Sequence, residues 1–279
     1  MRVAVVGHVE WIEFARVPSV PSSGAIVHAS EVWEEPGGGG AVAAVQLAKL
    51  AGGATFLTAL GEDEVGRHAH EHLRALGLSV EAAWRAVPQR RGFVHVDARG
   101  ERTITVIGDR LGPNGGDPLP WDALGRFDAA YFTAGDAAAA RQARAARVMT
   151  ASARALGSLV DSGVRLDALV ASALDAGETY EPGDLDAEPA LVVRTAGSAG
   201  GTWECPGGER GEWTATPLPG ALSDSYGCGD SFAAGLTWAL GAGMEPAEAV
   251  LVGARCGAAC LTGRGPYAGQ LTANDLPVA

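Results

Sequence analysis

The sequence predicts an α/β protein: an open, mostly parallel sheet covered on both faces by helices. Three observations carry that expectation. Short apolar, β-branched runs ending in glycine alternate with helix-length stretches, most regularly through the second half. The first run, RVAVVG at 2–7, is apolar at successive positions, as a strand buried on both faces must be. The 279 residues, 47% hydrophobic and 19% charged, suffice to enclose a sizeable core.

After the strand at 2–7, residues 9–35 read as strand-like stretches broken by PSVPSSG, with Trp11 and Trp33 facing outward. GGGGAVAAVQLAKLAG opens on four glycines and continues as a small-residue helix over about 41–51. ATFLTALG is the next strand, and DEVGRHAHEHLRALG an amphipathic helix closed by Gly77. Residues 91–107 alternate and turn at 98–100, so they predict a hairpin. Further on, 128–135 reads as a strand, 137–160 as a helix, and 167–172 and 190–197 as strands. GGTWEC follows as a hairpin piece, then helices over 229–242 and 245–262 and a loop-like tail. The early strands interrupt the alternation and predict an inserted β element, a lid or a dimer contact.

A formal net charge of −12 argues against nucleic-acid partners and against an anionic membrane surface. Lys49 is the single lysine, so arginine supplies nearly all positive charge. There is no charged-then-apolar leader and no run of about 18 apolar residues. Cys205, Cys228, Cys256 and Cys260 show no paired CxxC spacing, which favours reduced thiols. Together these predict a cytoplasmic protein. His68 and His72 share a helix face, but without a third ligand they read as a solvated surface.

DSYGCGDSFAAG, residues 224–235, carries the most chemistry. Gly227, Cys228 and Gly229 precede an apolar helix, so consecutive N–H groups at its start form a nest for an anion, reinforced by the helix dipole. Asp230 stands beside that nest, placed to accept a proton from an attacking hydroxyl. A carboxylate base next to an anion hole suits in-line phosphoryl transfer to an alcohol. The alternative is an ordinary helix cap after a glycine turn. The frame Asp-x-x-Gly-x-Gly-Asp arises by chance in such a composition only about 0.02 times, which favours the functional reading. No Gly-x-Gly-x-x-Gly follows the first strand and no Walker-type GK[ST] occurs.

DSYGCGDSF resembles the C-terminal signature of the ribokinase-like (PfkB) carbohydrate kinases, with Ser225 and Cys228 replacing the usual Thr and Ala. The opening strand, the Gly-rich start of a helix at 37–50, GEDEVGRHAHEHLRALGL and RTAGSAGGTW follow in the same order as that family's landmarks. The resemblance implies one kinase unit over 1–279: a three-layer α/β/α sandwich with a small β lid from about 9–35 and 91–107. It implies ATP and Mg²⁺ and, in some members, a monovalent cation. It makes Asp230 the base and gives Gly227, Cys228 and Gly229 the anion hole. Thr195, Gly197, Gly200, Asp224 and Gly263 fall to the nucleotide side, and Glu10, Gly38, Gly39 and Gly40 to the acceptor. The family's Asn-x-x-Glu metal pair is represented by Ser172 and Asp175, with Glu178 competing. A homodimer through the lid strands is a further implication.

The acceptor half departs most from that pattern. Val42 stands where the family has Asn, and Glu10 and Ile12 replace an Asn-x-Asp. His8, Asn114 and Asp136 join Glu10 as candidate replacements. The resemblance implies a small sugar-like acceptor with a primary hydroxyl, and these departures argue against ribose or fructose specifically. One alternative is a nucleoside kinase stacking its base on Trp11, Trp33 or Phe14; another is a non-catalytic ligand-binding or regulatory relative.

Overall fold

A computed structural model describes residues 1–276; the last three residues of the expected 1–279 unit lie outside it. The chain opens with β1 (Val3–Val6), β2 (Glu10–Arg16) and β3 (Glu31–Gly37), followed by α1 (Gly39–Ala51). Next come β4 (Ala54–Gly61), α2 (Glu64–Ala75), β5 (Leu78–Arg85), β6 (Arg91–Val96) and β7 (Arg102–Ile107). The middle holds β8 (Ala129–Phe132), α3 (Ala137–Ala143), β9 (Val148–Ser152), α4 (Leu156–Val160) and β10 (Ala168–Ser172). Strands β11 (Val192–Thr195), β12 (Gly201–Glu204) and β13 (Arg210–Trp213) lead into α5 (Cys228–Gly241) and α6 (Pro246–Cys260).

Nine strands form the main sheet in the order β13-β12-β11-β10-β9-β8-β1-β4-β5. From β5 to β11 every pairing is parallel, and β12 and β13 close that edge as an antiparallel hairpin. The pleat sorts β1 between two cores. Val3 and Val5 pack with Val45, Leu47, Phe232 and Leu236 of α1 and α5. Ala4 and Val6 pack with Ala139 and Ala143 of α3 and with Trp121, Leu124 and Leu159. Helices thus cover both faces, giving the three layers expected. Each fully buried Val, Leu or Phe contributes about 1.5–3 kcal/mol.

The other four strands make a separate sheet in the order β3-β2-β6-β7. Strand β2 runs antiparallel to β3 and parallel to β6, and β6–β7 is the hairpin expected at 91–107. Two side chains expected at its surface are buried: Trp11 and Trp33 are each 8% exposed. Trp33 stacks on Phe14 with centroids 4.8 Å apart, and Trp11 lies 4.7 Å from His68 on α2. The alternation of β2 and β3 points these rings at neighbouring elements rather than at solvent.

The stretch 137–160, expected as one helix, is two short helices separated by β9. Its alanines favour helix, but VMTAS lies between β8 and β10, buried on both faces except for its first residue; tertiary burial outweighs propensity there. Strand β5 likewise has no clear sequence signal. No described helix is long and apolar enough to cross a membrane.

Local chemistry explains the other landmarks. Asp63 caps α2 by accepting from the Gly66 N–H at 2.8 Å. A side chain at Gly66 would collide with the Gly61 carbonyl. The C-terminal segment docks on α1: Lys49 donates to the Tyr267 carbonyl, Gln46 to Leu271 and Gln270 to Val42.

Candidate active site

The candidate residues gather at the carboxyl ends of the parallel strands, where open α/β sheets bind ligands. Helix α5 begins at Gly227, whose φ of 80° is the left-handed conformation that glycine adopts without penalty. A Cβ at Gly227 would lie 2.9 Å from Val42 Cγ1, so the floor of the nest is packed. A Cβ at Gly229 would meet nothing within 4 Å, so the nest opens on that side. Val42 is fully buried under this turn, which explains why no polar acceptor contact comes from its position.

Asp230 sits in the first turn of α5, partly exposed. Loss of hydration and the negative charge of Glu178 raise its carboxyl to about 7, against the opposing charges of Arg102 and Arg154. Gly39 lies directly against it: an added Cβ would be 2.7 Å from Asp230 Oδ1 and 3.1 Å from Thr133 Oγ1. Gly38, with φ 84°, donates its N–H to the Tyr226 hydroxyl at 2.9 Å. A Cβ there would lie 3.1 Å from the His8 ring and 3.2 Å from Glu10 Cγ. Gly40 packs on the His8 backbone. These three glycines therefore connect Glu10 and His8 to Asp230 with no side chain between.

Glu10, 7% exposed, meets Arg90 Nε at 2.7 Å and His8 Nε2 at 3.7 Å. The Arg90 N–H does not point at the carboxylate, so the contact is an ion pair rather than an aligned hydrogen bond. Burial first, and then the charges of Arg110, Arg90 and Arg154, hold the His8 imidazole down to about 3, so it is neutral. Asn114 and Asp136 are engaged locally. Asp136 caps α3 by accepting from Ala139 at 2.7 Å and also accepts from Gly115, while the Asn114 N–H donates to Asp117.

On the nucleotide side, Thr195 ends β11 and its hydroxyl donates to the Ala171 carbonyl at 3.3 Å. Gly197 and Gly200 have φ of 57° and 88°, and a Cβ at Gly200 would collide with the Trp213 carbonyl. Asp224 is fully buried: Oδ1 accepts from Tyr226 N at 2.8 Å and Oδ2 from Gly265 N at 3.1 Å. Burial raises its carboxyl despite those bonds. Gly263 allows its backbone to lie against Gly269.

Asp175 caps a short turn by accepting from Gly177 N at 2.8 Å and pairs with Arg154 at 2.6 Å. Glu178 pairs with the same guanidinium at 2.7 Å. Among the described residues there is no group of three or more His, Cys, Asp or Glu side chains placed to hold a metal. One or two carboxylates beside phosphate oxygens nevertheless fit magnesium.

Four arginines of this region, Arg90, Arg102, Arg110 and Arg154, carry no motif that sequence reasoning could use. Arg102 on β7 donates to the Ser225 carbonyl at 3.0 Å, and Ser225 N donates to Gly100 in the β6–β7 turn at 2.9 Å. The hairpin is thereby tied to the chain leading into the nest. A cavity of about 690 Å³ lined by Arg141, Arg144 and Asp167 opens instead at the amino ends of the strands, away from Asp230. Of its three arginines, Arg141 is already bonded to the Asp161 carbonyl and Arg144 to the Arg165 carbonyl and Asp167, and Arg165 completes the lining.

Solved structures share this architecture. Ribokinase from Thermotoga maritima is 20% identical with a TM-score of 0.77, covering 98% of this chain and 97% of that one. Arabidopsis thaliana ribokinase complexed with ribose and ATP is 18% identical with a TM-score of 0.73, covering 98% and 96%. Adenosine kinase from Sinorhizobium meliloti is 20% identical with a TM-score of 0.76, covering 95% of each chain. No curated protein matches the sequence. The family described as pfkB family carbohydrate kinase matches residues 1–179 and 185–273. With that match across nearly the whole chain, the protein belongs to the pfkB family of carbohydrate kinases.

Proposed function

We propose that the protein transfers the γ-phosphoryl group of ATP in line to a primary hydroxyl of a small sugar-like acceptor, with Asp230 as base. The observation that carries this reading is the Asp230 carboxylate beside the open nest of 227–229, facing Gly39. The acceptor oxygen forms a bond to the γ-phosphorus as the bond from phosphorus to the ADP oxygen breaks. The hydroxyl proton passes to Asp230, whose carboxyl near 7 suits it to both accept and release a proton around neutrality. The N–H groups of Gly227, Cys228 and Gly229 stabilise charge on the transferring group.

The complex of Arabidopsis thaliana ribokinase with ribose and ATP supports nucleotide binding as such; in this reading the nucleotide takes the half containing Thr195, Gly197, Gly200, Asp224 and Gly263. Magnesium, held by Glu178 or Asp175 together with phosphate oxygens, supplies charge neutralisation when bound. A monovalent cation has Asp224 as its nearby carboxylate, each oxygen keeping one lone pair after its backbone bond. The small sheet serves as a lid that excludes water. Its outer strand exposes Ile104, Val106 and Ile107, which suits a dimer contact; a monomer in sedimentation at micromolar concentration rejects that assignment. Trp11, Trp33 and Phe14 are packed against other side chains, so a nucleoside acceptor would have to stack its base elsewhere.

The test is ADP release from Mg·ATP over sugars, sugar derivatives and nucleosides, beside Asp230→Asn. Acceptor-dependent turnover lost in the variant supports the reading. Full activity in the variant removes Asp230 from the role of base. ATP and acceptor binding without any ADP formation by the wild type identifies a non-catalytic relative.

A further inference from the structure

The base of the β6–β7 hairpin delivers two guanidinium groups to the acceptor side, with one carboxylate to balance them. The register pairs Arg91 with Ile107, so Arg90 stands opposite Gly108, whose Cβ position is 3.9 Å from Arg90 Cα. Arg110 follows two residues later. Arg90 is held from behind by buried Gln89, whose Oε1 accepts from Gly61 N at 2.9 Å and whose Nε2 donates to Val9 O at 2.8 Å. The Gln89 N–H also donates to Asp63, the cap of α2. Arg90 thus stands on a fixed frame, whereas Arg110 is an exposed side chain on the irregular chain that follows β7.

The local charge does not close. Arg154 is matched by Asp175 and Glu178, and Arg102 points at the 225 carbonyl. Arg90 and Arg110 share Glu10 alone, and Arg110 makes no ion pair or hydrogen bond among the described residues. His8, 4% exposed, leaves Nδ1 without a partner beside the same group. In a protein of net charge −12, two clustered guanidiniums with a single carboxylate mark a place for an anion. Gly38 lies against Glu10 and the adjacent Gly39 against Asp230, which puts this group on the same side as the base.

We propose that the acceptor itself carries an anionic group, a phosphate or a carboxylate, bound by Arg90 and Arg110 while its free primary hydroxyl faces Asp230. The proposal rests on the kinase reading above and narrows its substrate class. Arginine suits the task because its planar fork matches either oxyanion bidentately.

Matched acceptors test it: fructose against fructose 1-phosphate, and glucose against gluconate, each retaining a primary hydroxyl. The anionic member of at least one pair is expected to exceed its neutral partner at least tenfold in kcat/KM. Calorimetric binding to Asp230→Asn reads the same preference without turnover, so a failure of the kinase reading stays distinguishable from a failure of this one. Which pair shows the preference separates phosphate from carboxylate. Arg110→Gln is expected to raise Kd for the anionic acceptor at least tenfold, with Arg110→Lys recovering part of the loss. A neutral preference, or no preference within either pair, overturns the proposal. So does an Arg110→Gln variant that weakens ATP but not the anionic acceptor, because the arginines would then belong to the nucleotide.

Discussion

Asp230 Oδ1 lies 2.7 Å from the point where a side chain on Gly39 would begin. The start of α1 and the start of α5 therefore fit each other only because residue 39 has no Cβ. Gly39→Ala is expected to push the carboxylate aside and lower kcat on the order of 100-fold, the typical cost of misplacing a reacting group by about 1 Å. Thermal unfolding should change little, because Gly39 is partly exposed and its φ is not left-handed. A variant with wild-type kcat would show that this contact does not position the base.

The raised carboxyl of Asp230 predicts an acid limb in kcat/KM inflecting near pH 7 and falling about tenfold per unit well below it. The same shift acts on stability with a definite sign. Between the ordinary carboxyl value of 3.8 and about 7 the folded state binds more protons than the unfolded one, so stability declines as pH rises through that window. Asp230→Asn should therefore be more stable than wild type at pH 8 and nearly equal to it at pH 4. Denaturant titrations at the two pH values check this, and an equal difference at both would contradict the shift.

Gly227 and Gly229 should respond in opposite ways. Gly227→Ala forces a left-handed residue against Val42 and is expected to cost at least about 1–2 kcal/mol. Gly229 has open space at its Cβ position and sits inside the helix, so alanine there should be neutral or stabilising. If the opening is where phosphate binds, Gly229→Ala nonetheless raises KM for ATP or lowers kcat at least tenfold. Unchanged kinetics in that variant would move the anion site elsewhere.

Arg154 neutralises Glu178 and Asp175 and opposes ionisation losses at Asp230. Arg154→Ala should shift the acid limb to higher pH and change the magnesium concentration needed for half-maximal rate. A profile that stays in place would show that Arg154 does not act on the base.

Much of the fold was legible because it rests on local patterns: the apolar run of β1, the glycine-opened α1, the Asp63 cap and the alternation of β6 and β7. The glycine turn that opens α5 beside Asp230 was legible for the same reason, since Gly227 and Asp230 are neighbours in the chain. Strand β9 was not, because its identity depends on being flanked by β8 and β10 rather than on its alanine-rich surroundings. The arginines were not either. Hairpin register brings the chain just before Arg110 beside Arg90, and Arg154 meets Asp175 only because β9 lies beside β10. Trp11 and Trp33 were misjudged because alternation fixes which residues share a face but not which face is covered.

The docking of the C-terminal segment on α1 makes the chain's single lysine a chemical reporter. Lys49 donates to the Tyr267 carbonyl, and burial lowers its ammonium, leaving a larger neutral fraction than an exposed lysine has. Amine-acylating reagents have one side-chain target, besides the α-amino group. The rate of acylation at Lys49 consequently measures how often residues 264–271 lift from the helix. Nucleotide that orders this segment will slow the labelling, and one peptide in a mass spectrum suffices to follow it.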